Sequence, residues 1–460
     1  MTPTFRRVTA AFLVILAITM LFGRLGRSAL HFDEAIYAQV SKEMVERNEW
    51  LTPHWNGQAW FHKPPVYFWT TALLFAVFGS GELWARFASA LSGLAVLLLC
   101  YLVARRLYSR AAGVLAVLIL LSTQLFMFYA RFGATDTALT LFILLAVYAY
   151  LLSEDDARFW LLAGVACAFA LMVKGAAGVV APFVLLMAAL FERRLGPALR
   201  NKWLWLAIGV GFFILLPWHV LMYLQHGEQF LKGYFVDHVV QRAGSNWHTE
   251  YRRGFGYYFS VLHNFFSPWA YILPFALVFS RARRAAVVLI LGLTIFLLYT
   301  FVQTKFQWYI LPAIPAFAIV IAGFVTGFIK HRTPLQLKAG GVILIGLWAF
   351  GLFGTLRIIR TVIPEMEAGA RLAKQAARDS GGIMAYPETL EMTVKFYSNR
   401  KLCTEPGISK LSHSADTTCA AAEATHIILR KSDWDKIEGS FTITPLIEDG
   451  PLIYAAIARR

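Results

Sequence analysis

Residues 6–37 read RRVTAAFLVILAITMLFGRLGRSALHFDEAIY. An arginine pair, Arg6 and Arg7, precedes an apolar stretch from about Val8 to Leu30, and the acidic pair Asp33 and Glu34 follows it. Such a stretch is long enough to cross a hydrocarbon layer of about 30 Å. A positive N-terminus stays in the cytoplasm, so Asp33 and Glu34 emerge on the far side of the bilayer. Ionisable groups at membrane depth are expensive to hold and mark functional sites. The stretch is long, and no small-residue cleavage site follows it, so it reads as an anchor rather than a cleaved leader.

The rest of the chain extends the pattern. Its 460 residues are 58% hydrophobic, with a mean hydropathy of +0.57, too apolar for a soluble protein of this length. Apolar runs recur near 84–104, 111–130, 136–152, 159–174, 176–191, 203–223, 266–280, 285–302, 308–328 and 339–358. With 8–30 they predict an α-helical polytopic membrane protein of about 11 spans. Basic residues such as Arg105, Arg106, Arg193, Arg194, Arg283 and Lys330 fall on alternate, cytoplasmic connections. That bias, with contact to anionic lipid, accounts for much of the net charge of +16 and argues against a nucleic-acid partner.

Val66 to Phe78 is too short to span comfortably and reads as an interfacial or re-entrant helix on the outer leaflet. Residues 31–82 and 224–265 then form two large external loops of a transmembrane domain covering 1–358. Beyond it the composition changes. Short apolar runs at 382–386, 425–430 and 452–457 alternate with helical patterns such as 365–378, which predicts a small α/β domain over 359–460. An odd number of spans places that domain outside the cytoplasm. Cys403 and Cys419 lie in it, and their spacing leaves an external disulfide open. Cys100 and Cys167 fall within spans and read as packing residues.

Polar residues of the external face are the candidates for chemistry. In the first loop they are Asp33, Glu34, Tyr37, His54, His62 and Lys63. Lys63-Pro64-Pro65 stiffens the backbone directly after a cation, where a lysine can hold a lipid phosphate; an ordinary snorkelling lysine reads the same way. Arg131 and Asp136 stand at the outer ends of adjacent spans, where Asp136 also reads as a helix cap. Lys174 closes another span with Gly175 behind it. Asp237, His238 and Arg242 follow helical spacing in the second large loop, and Lys305 and Tyr309 lie about one turn apart at the start of a span. Gly175 and Gly178 read as close-packing positions. No metal-ligand spacing, P-loop or dinucleotide fingerprint occurs, so no cofactor is expected; a divalent ion held by Asp33, Glu34 or Asp136 stays open. An external site has no ready access to cytoplasmic nucleotides, so an activated substrate would arrive on a lipid.

Taken in order, several segments resemble the lipid-carrier-dependent glycosyltransferases of the GT-C fold. They are Asp33-Glu-Ala-Ile-Tyr37, His62-Lys-Pro-Pro-Val-Tyr67, Arg131-Phe-Gly-Ala-Thr-Asp136, Val173-Lys-Gly175, Leu216-Pro-Trp218, residues 238–242, Ser267-Pro-Trp269 and residues 305–312. The likeness runs from about residue 8 to 328 and is greatest to bacterial relatives of the aminoarabinose–lipid A transferases and protein O-mannosyltransferases. It implies an inverting glycosyltransferase in the bacterial inner (cytoplasmic) membrane, with its N-terminus cytoplasmic. The implied donor is a polyprenyl phosphate sugar. The implied acceptor is lipid A or lipopolysaccharide, another envelope glycan, or a protein.

By the same resemblance Asp33 matches the catalytic aspartate and Asp136 a second acidic site. Lys63 matches the lysine on the donor phosphate, Arg242 a second phosphate-binding cation and Tyr309 a phosphate-facing phenol. Glu34, Tyr37, His62, Arg131, Lys174 and Lys305 complete the expected substrate-binding set. Ile36 departs from the pattern, since the aminoarabinose enzymes commonly carry an arginine there, and their particular sugar is therefore not implied. The competing class is a transporter or flippase of a lipid-linked sugar. It predicts polar residues at the midplane of repeated halves, whereas the charges here cluster at external ends.

Overall fold

The computed structural model describes residues 3–240, 252–279, 282–329, 332–361, 363–379, 382–386, 390–399, 424–434 and 441–459. The chain forms two compact units. The first comprises Met1–Gly23, Phe61–Tyr67 and Ala88–Arg360, the second Arg24–Trp60, Phe68–Phe87 and Thr361–Arg460.

Helices build the first unit. Among the described residues of the chain, five apolar helical runs are long enough to cross a bilayer, with Phe159–Phe191 counted as one, or six if the bent pair Arg110–Leu121 and Gln124–Ala130 counts as one. Shorter apolar helices, Arg7–Phe22, Trp269–Phe279, Ala285–Phe301 and Ala313–Ile329, lie where the sequence predicts further spans.

The run read as one span over 111–130 is bent by 74°. Its cause is local. Ser122 Oγ donates to the Leu118 carbonyl (3.0 Å) and Thr123 Oγ1 to the Ile119 carbonyl (2.7 Å), back-bonds that compete with the helical ladder. Trp269 Nε1 then donates to Ser122 Oγ at 2.9 Å and holds the bend.

Phe159–Lys174 and Val180–Phe191 form a helical hairpin around the 3-10 turn Gly175–Val179. A Cβ added at Gly178 would sit 2.5 Å from the carbonyl of Ala170. Eight residues of continuous helix would separate those positions by about 12 Å, so the backbone has turned back on itself. Lys202–Leu231 packs on the hairpin's first arm, with Ala207 pressed against Gly164. Small residues thus let the backbones approach closely. The same helix runs through Pro217, kinks at Gly227 and reaches beyond the expected span end near 223.

The second unit contains the helix Asp33–Glu46 and a short hairpin, His54–Trp55 with Gln58–Ala59. Asn56 and Gly57 both take positive φ, the geometry a two-residue hairpin turn requires. Their amides donate to the Glu43 carboxylate at 2.8 and 2.9 Å, fastening the turn to the helix. C-terminal residues of this unit supply the helices Pro364–Ala376 and Glu391–Ser398 and a four-stranded sheet. Gly382–Tyr386 pairs parallel with Ala424–Arg430; Leu452–Arg459 and then Phe441–Asp449 add antiparallel. Leu372, Ala376, Ile383, Val394, Ile428 and Tyr454 form its buried core. Cys403 and Cys419, and with them the disulfide question, lie outside the described residues.

Candidate active site

In the first unit, three distant parts of the sequence meet at Asp136. This residue opens the helix Thr135–Leu152, while Lys174 ends the first arm of the hairpin. Their side chains form an ion pair, only 7% and 9% exposed. The Lys174 ammonium also lies 5.7 Å from the centre of the Tyr309 ring, close enough for cation–π attraction. Tyr309 sits in the 3-10 turn Gln307–Ile310, with its ring 4.9 Å from Tyr299. The pair is buried, so losing either charge strands the other.

The Lys63 segment is fixed onto the same region at three points. Phe61 stacks edge-on to His226 and Phe230, at 5.1 and 5.7 Å. Pro64 lies 3.9 Å from where a Cβ on Gly175 would stand. Tyr67 shares a 2.9 Å hydrogen bond with Ser89, and Ser89 Oγ contacts both the carbonyl and the amide of Ala134, two residues before Asp136. Lys63 is buried within this clamp, 6% exposed, and His62 is half-buried beside it. Gly175 has no freedom to change. Its φ is +54°, and an added Cβ would lie 2.9 Å from the Tyr234 hydroxyl. That hydroxyl is 3.2 Å from His219 Nε2, whose ring donates through Nδ1 to the Leu215 carbonyl.

Two expected site residues hold backbone carbonyls. The Arg131 guanidinium donates to the carbonyls of Met20, Leu21 and Gly23 at 2.6, 2.8 and 2.9 Å, capping the end of the first helix. Lys305 donates to the Arg253 carbonyl at 3.1 Å and also to that of Val302. Arg242 lies outside the described residues, and of the segment around it only the backbone to Val240 is described.

Asp33, Glu34 and Tyr37 belong to the second unit. Asp33 is the first residue of its helix and half-buried; Phe32 before it takes φ 50° and ψ −138°. For a residue with a side chain that conformation costs roughly 1–3 kcal/mol and persists where neighbours enforce it. Tyr37 packs edge-on to Trp60 and Phe68. Glu34 is fully buried and binds Arg86 twice, at 2.6 and 2.9 Å. Arg86 also donates to the carbonyls of Leu25, Ser28 and Ala29. Nothing in its sequence context singled Arg86 out, because its partner lies 52 residues away.

Burial alone would raise the Glu34 carboxyl, but attraction and hydrogen bonds from Arg86, helped by His31, outweigh it and hold the pKa down, to about 2. A depressed carboxyl stabilises the fold above its unfolded pKa, and that contribution disappears as pH falls through the folded value. Wild type should therefore exceed Glu34→Gln in stability by about 3 kcal/mol above pH 5, the gap closing between about pH 4.5 and 2. Unfolding midpoints of both proteins across that range, in detergent, measure it. A gap independent of pH would show that Glu34 is not held ionised.

Other residues missed from sequence are His219, Tyr234, Tyr299 and Ser89. Among them only His219 adjoined a noticed motif, Leu216-Pro-Trp218. Among the described residues no group of three His, Cys, Asp or Glu side chains is placed to hold a metal ion.

Residues 62–221 match the family described as dolichyl-phosphate-mannose-protein mannosyltransferase. An uncharacterized protein of Aquifex aeolicus is 32% identical over 356 residues, covering 75% of this chain and 68% of that one. An undecaprenyl phosphate-alpha-4-amino-4-deoxy-L-arabinose arabinosyl transferase of Edwardsiella ictaluri is 31% identical, covering 70% of this chain and 60% of its own. The chain thus spans about three-fifths of the length of such arabinosyl transferases, 60% and 56% for two of them. Among solved structures, ArnT from Cupriavidus metallidurans bound to undecaprenyl phosphate superposes with a TM-score of 0.81 at 21% identity, over 97% of both chains. The archaeal oligosaccharyltransferase AglB from Archaeoglobus fulgidus gives 0.64 at 12% identity, over 94% of this chain and 70% of that one. Two proteins so far apart in sequence share this fold. Residues 62–221 thus form a segment of the dolichyl-phosphate-mannose-protein mannosyltransferase family, and the Aquifex relative extends the likeness over 75% of the chain.

Proposed function

We propose that the chain is an inverting glycosyltransferase that moves a sugar from a polyprenyl phosphate to an acceptor at the outer face of a bacterial inner membrane. The observation that supports this reading best is the Lys63 segment seated beside the buried Lys174–Asp136 pair. In the proposed reaction the bond between the anomeric carbon and phosphate oxygen breaks as an acceptor oxygen attacks from the opposite face. Configuration inverts, and the polyprenyl phosphate leaves with the bonding electrons. Lys63, with Arg242, takes up the growing negative charge, which fixed cations stabilise most in a partly desolvated site. Lys174, already neutralised by Asp136, orders the site rather than adding net charge, with Tyr309 beside it. Asp33 orients the acceptor hydroxyl and receives its proton.

Topology follows the same proposal. Counting the long helices, the bent pair and the four shorter apolar helices, with the hairpin at Gly175 as two passes, gives eleven spans. The N-terminus is then cytoplasmic, and the 359–460 α/β domain and the loops 31–82 and 224–265 are external. The acceptor is lipid A or lipopolysaccharide, another glycan, or a protein. Membranes with and without the chain, supplied with labelled undecaprenyl phosphate 4-amino-4-deoxyarabinose and separately with hexosyl counterparts, test the reading. Label should pass to an envelope component from at least one donor only where the chain is present. No transfer from any of them, with the protein folded, would overturn it.

A further inference from the structure

We propose that the two C-terminal helices Pro364–Ala376 and Glu391–Ser398 position Asp33, by clamping the backbone of residues 29 and 30 through Glu367, Thr393 and Tyr397. The inference rests on the role proposed for Asp33 and adds residues to it from a part of the chain where the sequence offered no motif.

The clamp is specific. A Glu367 oxygen accepts the Ala29 amide at 2.6 Å. At Leu30 both backbone groups are taken, the amide by the Tyr397 hydroxyl (2.9 Å) and the carbonyl by Thr393 Oγ1 (3.0 Å). Tyr397 donates its proton to Glu82 Oε1 at 3.0 Å, which leaves the lone pairs of the hydroxyl turned to Leu30. Lys374 reaches the same Glu82 oxygen at 3.4 Å. Leu30 itself is fully buried with Ala35, Ala38 and Phe396. The strained Phe32 follows two residues later and Asp33 directly after it. A backbone strained at one residue and anchored just before it fixes the direction in which the next side chain leaves the chain. Misplacing a reacting group by about 1 Å can cost a hundredfold in rate.

These three are positioning residues, since none needs to touch the substrates. Their signature is a fall in kcat without a change in donor binding. In the full-length protein the double variant Thr393→Val/Tyr397→Phe should lose ten- to a hundredfold in kcat, with KM for undecaprenyl phosphate sugar within twofold of wild type. Thr393→Ser keeps the hydroxyl and should retain at least half of the wild-type kcat. Amide hydrogen exchange over residues 29–34 should speed up in the double variant and in Thr393→Val alone, which covers the case where the double variant folds poorly. Wild-type kcat in the double variant, or a loss in Thr393→Ser equal to that in Thr393→Val, would overturn the clamp. Asp33→Asn separates the two layers. If it stays fully active, the role of Asp33 fails; if it is inactive while the clamp variants turn over normally, only the clamp fails. Should the wild type transfer no sugar, unchanged exchange over 29–34 in the variants still overturns it.

Discussion

Asp33→Asn should insert and fold as the wild type does and lose about 10²–10⁴ of its turnover. Asparagine matches aspartate in size and is well suited to the start of a helix, so the cost to Asp33–Glu46 is its charge term at the N-terminus, about 0.3–1 kcal/mol. The buried charge nearby, Glu34, keeps its Arg86 partner in the variant. What the amide cannot do is accept a proton from an attacking hydroxyl. Orientation by its carbonyl oxygen survives, so KM for the acceptor should rise little while kcat collapses. Initial rates at saturating donor, together with the thermal midpoint in detergent, separate these quantities. Full turnover in a folded Asp33→Asn protein would remove the carboxylate from the reaction and favour an acceptor that is already an anion.

How far the sequence could be read depends on the range of the interaction involved. Apolar length is a local property, and the helices Glu82–Leu107, Thr135–Leu152 and Phe159–Lys174 stand where their hydropathy puts them. The first stretch was misjudged at its end. Its helix stops at Phe22, short of Leu30: Gly23 follows, the next backbone takes φ 59°, Gly26 and Ser28 interrupt the apolar run, and the side chains of Arg131 and Arg86 take the carbonyls on either side of the break. Both arginines act across more than 50 residues of sequence, beyond any local pattern. The bend at Ser122 is an intermediate case. Its hydroxyls were visible, but a Ser-Thr pair within an apolar run more often faces solvent or a neighbour than breaks a span, and Trp269 completes it from 147 residues away.

The candidate site divides the same way. Lys63, Lys174, Asp136 and Tyr309 were each legible as polar residues at the outer ends of apolar runs. That Lys174 neutralises Asp136, and that Tyr67 and Ser89 tie the Lys63 segment to Ala134, required coordinates. Sequence position alone also made Arg131 look like a substrate ligand and gave no sign that it holds the carbonyls of Met20, Leu21 and Gly23. A cation at a membrane face has two uses, lipid phosphate and helix end, and only its partners distinguish them.

The Lys174–Asp136 pair allows that distinction to be made by substitution. Lys174→Met removes the cation and leaves a carboxylate with 7% side-chain exposure without it, a change that typically costs about 3–5 kcal/mol. Its thermal midpoint should fall by several degrees, and transfer should fall with it. Adding Asp136→Leu removes the stranded charge and keeps the branched shape of the side chain. Replacing both members of a buried pair by apolar groups is often neutral or stabilising, so Lys174→Met/Asp136→Leu should regain the midpoint of the wild type. If the pair serves only to join two helices, activity returns with stability. If Lys174 helps to order the donor beside Lys63 and Tyr309, turnover stays at least tenfold low in a protein that is fully stable. The second outcome is expected, because the Lys174 ammonium faces the Tyr309 ring as well as Asp136, and methionine presents neither ammonium nor hydrogen-bond donor to that corner. Recovery of both quantities in the double variant would confine the phosphate-binding role to Lys63 and the loop that carries Arg242.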